Sequence, residues 1–450
     1  MAGTDDVDSV GRSSRGYRPT RLALTFDRSL GGLSTIEVDG GTKLNVSVSL
    51  RRYIHQRDTG VLPWYLRPSG HYSFHPAGES QQLTSEGEAA DLHVTSGPLL
   101  TEVTHRFCAF GSLTFRLLRG AATVEVEWTV GSLPSAQDII LLFESSIETN
   151  GVFWTDSNGR QYVKRERGTR STFVPATLQP PHANPIARDY YPTTVGAYIE
   201  DSGTKEQLSV LTDRAQGCAS VKDGSLEFMP HREAEAGDEL GNPETLRERL
   251  GGQPIIVRGK SILAVTRISD GPRTRRELAA SVYHAPLIAF APAEPNSMKQ
   301  TTASLLARDL PTQVDVLKFG AGSIKNSVDL RVAHMFEEGE CDTLSKPAHI
   351  DLSSFHGLKA ARAVETLVTG VPHTATSSIY QLPLRGERIF AGPKLFNYLN
   401  FSEPGAEQSW QSADQIPLIG RQQGKRHGGL DGKGRLTLRP LYLRNVQFTL

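Results

Sequence analysis

Large apolar side chains recur at every second position in three stretches of the chain. These are Leu22-Ala23-Leu24-Thr25-Phe26, Leu44-Asn45-Val46-Ser47-Val48-Ser49-Leu50 and Val124-Glu125-Val126-Glu127-Trp128-Thr129-Val130. A period of two sends alternate side chains to opposite faces of an extended backbone, so each stretch predicts a strand with one buried face. Shorter apolar runs at 208–211, 255–257, 262–265, 314–319, 328–332 and 436–438 extend the series. Asp156-Ser157-Asn158-Gly159 and Asp223-Gly224 tolerate positive φ and predict hairpin turns. Helical signals are few. Residues 242–251 offer Asn242 as a cap, Pro243 at the first helical position, Leu246 and Leu250 four apart, and Gly251 as a stop. A second short helix is predicted over 275–282. Many strands with few crossover helices predict an all-β fold of antiparallel sheets packed as sandwiches.

Loop-like composition falls at 1–20, 164–189, 234–252 and 403–433. The last stretch is rich in Gln, Ser, Gly and basic residues and is expected to be a disordered surface insertion. Ala293-Glu294-Pro295-Asn296-Ser297 reads as a linker. The expected organisation is a disordered N-terminus (1–19), a large β unit (20–292) and a C-terminal β-sandwich (310–450) with a disordered loop near 403–433.

Composition narrows the functional classes. In the 450 residues, 49 Lys and Arg balance 49 Asp and Glu, which argues against nucleic acid or a membrane surface as a partner held by bulk charge. No run approaches the ~18 apolar residues of a membrane span. Cys108, Cys218 and Cys341 are too far apart in sequence for a CxxC zinc site, and one disulfide remains open to them. Residues 1–20 are polar and lack the apolar core of a signal peptide. On these marks the chain reads as soluble and cytosolic, or as a piece without its targeting segment.

Taken singly, the motifs are weak. Val257-Arg258-Gly259-Lys260-Ser261 has Pro254 where a P-loop needs glycine, so a hairpin turn is expected instead. His349-Ile350-Asp351 would place two metal-ligand types on one strand face, but an exposed polar pair is the simpler expectation. Arg273-Thr274-Arg275-Arg276 reads as a solvated helix start. Glycoside chemistry needs two carboxylates, yet Asp156 reads as a turn residue and Glu125 and Glu127 as the outer face of a strand. No GxSxG, HExxH or catalytic cysteine signature occurs. No catalytic residue and no metal ligand is assigned to this chain.

Several segments, in order and spacing, resemble the C-terminal β region of the class II α-mannosidases, glycoside hydrolase family 38, of the lysosomal type. They are 124–131, Glu148-Thr149-Asn150-Gly151-Val152-Phe153-Trp154-Thr155-Asp156-Ser157-Asn158-Gly159-Arg160, Tyr190-Tyr191-Pro192, Leu211-Thr212-Asp213-Arg214-Ala215-Gln216-Gly217 and Asp223-Gly224-Ser225-Leu226-Glu227-Phe228-Met229. The clear resemblance covers about residues 20–335, and Leu436-Thr437-Leu438-Arg439-Pro440-Leu441 resembles the family's last strand. It implies a galactose-mutarotase-like supersandwich over 20–292 followed by smaller β-sandwich modules. In the family this region packs on a catalytic α/β barrel that holds zinc and the nucleophile. That portion is expected to be absent here, so the isolated chain is expected to be inactive and to bind no cofactor. Ser69-Gly70-His71-Tyr72-Ser73-Phe74-His75-Pro76 resembles the family segment whose tyrosine contacts mannose, which makes Tyr72 the substrate-binding candidate. Its phenol offers a ring for packing and a hydroxyl for a sugar oxygen. His231-Arg232-Glu233 resembles the family's His-Arg-Arg loop, which adds Arg232; Glu233 departs from it by reversing a charge. The implied partners are mannose-containing glycans and a separate catalytic barrel. The implied compartment is the lysosome, vacuole or secretory route, and Asn45 and Asn400 sit in glycosylation triplets. The alternatives are a non-catalytic carbohydrate-binding or scaffold protein and an incomplete gene product.

Overall fold

The structure is a computed structural model that describes residues 4–9, 22–28, 32–38, 42–56, 69–71, 73–83, 90–169, 184–235, 244–292, 302–322, 326–355, 362–366, 435–440 and 443–449. The chain divides into two units, Met1–Phe290 and Ala291–Leu450.

The first unit holds two nine-stranded antiparallel sheets. One runs Thr4–Ser9, Leu22–Asp27, Gly32–Val38, Thr42–Ile54, Gln137–Ser145, Ser225–Glu233, Gln216–Ala219, Tyr191–Thr193, with Gln81–Gln82 also paired to Thr42–Ile54. The other runs Gln161–Glu166, Val152–Ser157, Gly196–Asp201, Glu206–Thr212, Val257–Arg267, Val124–Val130, Gly111–Leu118, Leu100–Cys108, Asp91–Ser96. The alternating side chains of the sequence meet between them: Leu22, Leu24, Phe26, Leu44, Val46, Val48 and Leu50 from one sheet face Val124, Val126, Trp128 and Val130 from the other in a single core. Burying one face of each sheet against the other supplies most of the stabilisation, at roughly 25 cal/mol per Å² of apolar surface. The all-β fold with few short helices is thus observed, and the supersandwich is these two sheets.

Several local expectations change. Gly259 lies mid-strand, not in a hairpin turn, and pairs with Trp128; a Cβ there would collide with the indole. Ile255 and Ile256 precede that strand, which takes in 262–265 as well. The helix expected over 242–251 does not form in its described part. Leu246 instead exchanges two 3.0 Å backbone hydrogen bonds with Ala234, and Arg249–Leu250 pairs with Gln253–Pro254. Leu250 is 81% exposed, so a helix here would have had no apolar face to bury. Thr4–Ser9, inside the stretch expected to be disordered, pairs with Leu22–Asp27. Pro185–Arg188 forms one helical turn capped by Asn184 within the loop-like stretch 164–189. The insertion expected near 403–433 lies outside the described residues.

The helix Gly271–Tyr283 includes the predicted 275–282, but its start is not solvated throughout. Arg273 pairs outwardly with Glu277 at 2.7 Å, whereas Arg275 and Arg276 are buried. The Arg275 guanidinium lies 3.8 Å from the Tyr198 ring centre and 4.9 Å from that of Tyr162, and it donates to Gln207 Oε1. Tyr198 in turn stacks on Trp154 at 4.8 Å. Arg275→Ala is therefore expected to cost about 2 kcal/mol, from lost stacking and from a buried Gln207 oxygen left with only the 3.3 Å bond from Ser209 Oγ. Arg275→Lys should recover little, because an ammonium does not stack as a planar guanidinium does. Urea unfolding of both variants checks this.

The second unit has a four-stranded sheet, Val314–Ala321, Ser327–His334, Leu443–Thr449, Arg362–Thr366, and a two-stranded one, Ala348–Asp351 with Arg435–Leu438. Leu330 and Val332 of the first pack with Ile350, Leu436 and Leu438 of the second.

Candidate functional site

Three adjacent strands of the first sheet build the site: Thr42–Ile54, Gln137–Ser145 and Ser225–Glu233. On the middle strand Ile139, Leu141 and Phe143 point into the core, so Asp138, Ile140 and Leu142 face the other way. That outer face carries its own apolar cluster of Tyr53, Ile140 and Leu142, with Phe74, Ile186, Tyr190 and Met229 packed on it. Register sets Tyr53 and Arg232 on either side of Asp138.

The segment 69–76 is fastened across this face. His55 bridges Pro76, Gln56 N donates to His75 O at 3.0 Å, and Ala77 N donates to Ile54 O at 2.8 Å. Within the segment, Gly70 N donates to Ser73 Oγ and His75 N donates to Ser69 Oγ, each at 2.9 Å. The Phe74 ring is gripped edge-on by Tyr53 at 5.4 Å and Tyr190 at 5.0 Å.

Arg232 joins segment to sheet. Its Nε donates to Asp138 Oδ1 at 2.7 Å, Nη2 to Ser73 O at 2.8 Å and Nη1 to His71 O at 3.4 Å. Asp138 is fully buried, with His55 Nε2 at 3.0 Å from its second oxygen. The two carbonyls that Arg232 holds belong to the residues before and after Tyr72. Tyr72 itself lies outside the described residues. Both substrate-binding candidates thus concern one segment. A planar fork with donors on two sides suits this bridging role.

Glu233, where the family pattern has arginine, is buried and takes Arg247 Nε at 3.1 Å, while Arg247 Nη2 reaches Glu235 at 3.4 Å. The reversed charge is therefore balanced from the stretch in which a helix was expected. Burial lowers the pKa of His231 in the same strand, against the opposing pull of Glu233 and Glu248.

Glu227, quoted above only within a longer stretch, is a further acid of this face. It is 2% exposed on the same outer face, and Tyr53 and Tyr190 donate to its Oε1 at 2.9 and 2.5 Å. Burial raises its pKa to about 7, against the opposing pull of the two phenols. Asp138 and Glu227 keep separate partners, Arg232 and His55 for the first and Tyr53 and Tyr190 for the second. Asp156 is a structural acceptor: Thr193, Thr194, Val195, Gly196 and Gly159 all donate to it.

Among the described residues no three of His, Cys, Asp and Glu converge as metal ligands. His349 is exposed with Nδ1 3.1 Å from Thr437 Oγ1, and Asp351 accepts from Ser353 N and Arg308, so this spacing serves the strand and its turn. A hollow of about 270 Å³ lies between the second sheet and the helix Gly271–Tyr283. Arg116 and Lys260 in it already pair with Glu125 at 3.3 and 2.9 Å.

Residues 19–239, which include the whole outer-face site, match the family described as the glycosyl hydrolases family 38 C-terminal domain. The chain is 33% identical over 315 residues to an alpha-mannosidase of Arabidopsis thaliana, covering 67% of this chain and 30% of that protein. It is 35% identical over 295 residues to the lysosomal alpha-mannosidase of Homo sapiens, covering 63% and 28%. The chain thus spans about a third of the length of the curated relatives it matches. Its fold is similar to that of a family 38 glycosyl hydrolase from Enterococcus faecalis, with a TM-score of 0.57, 11% identity and coverage of 95% of this chain and 43% of that one. An alpha-mannosidase from Enterococcus faecalis V583 gives a TM-score of 0.52, at 11% identity over 70% of this chain and 36% of that one.

Proposed function

Because the chain belongs to the glycosyl hydrolases of family 38 through the C-terminal domain in residues 19–239, we propose that segment 69–76 is one wall of an α-mannoside pocket. In this reading Tyr72 contacts the sugar and Arg232 positions the segment. The bond from Arg232 to the carbonyls of His71 and Ser73 carries the proposal, because it ties the residues flanking Tyr72 to a buried carboxylate on a rigid sheet. The activity served is hydrolysis of α-D-mannosides in glycan turnover, completed by a catalytic α/β-barrel portion that supplies zinc and the nucleophile. In this reading the role of this chain is to bind and orient substrate. The exposed apolar run that includes Leu287, Ile288 and Phe290 supports an interaction surface for such a portion. The lysosomal relatives support an acidic compartment as the place of action.

Calorimetric titration of the chain with mannose tests the reading. Millimolar binding is expected, lost in Tyr72→Phe while the thermal midpoint stays put. No heat at any attainable mannose concentration, or equal binding by Tyr72→Phe, overturns it. The chain alone is expected to hydrolyse no p-nitrophenyl α-mannoside, with or without added zinc.

A further inference from the structure

Segment 69–76 is held at two ends, and both holds meet on one carboxylate. Near its start, Arg232 takes the carbonyls of His71 and Ser73 and donates Nε to Asp138 Oδ1 at 2.7 Å. At its end, His55 pairs with Pro76, flanked by the backbone bonds from Gln56 N to His75 O and from Ala77 N to Ile54 O. The ring of the same His55 places Nε2 3.0 Å from Asp138 Oδ2. Strand geometry explains the convergence. Asp138 stands opposite Tyr53 on one side and Arg232 on the other, and His55, two residues beyond Tyr53, shares their face. The Asp138 side chain is fully buried and that of His55 is 8% exposed. An ionised carboxylate only accepts, so Nε2 is the donor end of the ring. The contact is bent, short of a straight hydrogen bond, and neither Nε2 nor Oδ2 has another partner among the described residues. Parting them would strand two polar atoms in the interior.

We propose that His55 and Asp138 are positioning residues of the sugar site: the carboxylate ties both ends of segment 69–76 to one point of the sheet, which fixes where Tyr72 meets the sugar. This rests on the reading of that segment as a pocket wall. Arg232 alone uses one oxygen of Asp138 and holds only the part of the segment around Tyr72. His55 uses the other oxygen and adds the end at Pro76, so the loop between the two holds has little freedom to swing. The two ends are therefore coupled through a single buried group, and loss of either hold reduces what the other can do.

Two measurements on the full chain test this: hydrogen exchange of peptides over 69–82 without sugar, and calorimetric titration with mannose. His55→Phe keeps a ring and the backbone pairing but removes both nitrogens. It is expected to raise exchange over 69–82 about tenfold and to weaken mannose by a similar factor, while peptides over 137–145 and 225–233 stay protected. His55→Gln, whose amide nitrogen can take the place of Nε2, should bring both readouts back to within about threefold of wild type. His55→Phe combined with Arg232→Lys should lose less affinity, on a logarithmic scale, than the two single losses added. A merely structural role would lower the thermal midpoint of His55→Phe and leave its affinity and its exchange over 69–82 as in the wild type; that result overturns the proposal. Equal losses in His55→Gln and His55→Phe, or losses that add in full in the double variant, overturn it as well. If the wild type binds no mannose, the pocket reading falls, and the exchange results alone decide whether His55 and Asp138 hold the segment.

Discussion

Arg232→Ala is expected to lower the stability of the first unit by about 3 kcal/mol and to release segment 69–76 from the sheet. The magnitude follows from what the substitution leaves behind. Asp138 is fully buried, its Oδ1 loses a 2.7 Å partner, and removing one member of a buried ion pair costs about 3–5 kcal/mol because the other charge stays out of water. The carbonyls of His71 and Ser73 lose the guanidinium in the same step, and Ser73 O keeps its 3.2 Å bond from Gly70 N. Arg232→Lys separates the two roles. Its ammonium can still face Asp138, which recovers part of the stability, but it has no fork to reach the segment at the same time. Urea unfolding is expected to rank wild type above Lys above Ala, while exchange of peptides over 69–76 rises to a similar extent in both variants. Retained protection of that segment in Arg232→Ala would show that the backbone bonds at His55, Gln56 and Ala77 suffice without it.

Asp156→Ala should be as damaging, at about 4 kcal/mol, without touching the sugar site. Its carboxylate, 3% exposed, accepts backbone N–H groups from Gly159, Thr194, Val195 and Gly196 and hydroxyls from Thr193 and Thr194. Alanine would strand several buried donors, each costing about 1–3 kcal/mol less whatever water restores. The variant should also change the pH dependence. Burial by itself would raise the Asp156 pKa, but the bonds from Thr193, Thr194, Gly196 and Val195 outweigh it and hold the pKa below the ordinary 3.8. A depressed carboxyl contributes stability that is full above 3.8 and is lost as pH falls through its folded value. The wild type should therefore lose stability steeply below pH 4, and Asp156→Ala should show a shallower limb there. Equal acid limbs in the two proteins would contradict this assignment.

The legible parts of the fold were those carried by short-range pattern. Alternation in 22–26, 44–50 and 124–130 marked strands and also their buried faces, because a half-buried strand leaves no other arrangement for large apolar side chains. Helical cues were less dependable. Residues 242–251 carry a cap, a proline and a stop, yet in the described part pairing between Leu246 and Ala234 wins, whereas Gly271–Tyr283 forms because two arginines anchor it to Tyr162 and Tyr198. Sequence made those arginines look solvated, since burial of a guanidinium depends on aromatic partners far away along the chain. The site divides in the same way. Tyr72 and Arg232 stood out through a family resemblance, but the link between segment 69–76 and Arg232 is a product of sheet order. Glu227 was silent because its partners, Tyr53 and Tyr190, lie 174 and 37 residues away.

Hydrogen exchange of the full chain at pH 5, with and without saturating mannose, locates the sugar directly. Added protection is expected in peptides over 69–76 and 225–233 and nowhere on the second sheet. Protection confined to other strands, or none under conditions where calorimetry detects binding, would contradict the assignment of segment 69–76 as the wall of the sugar site.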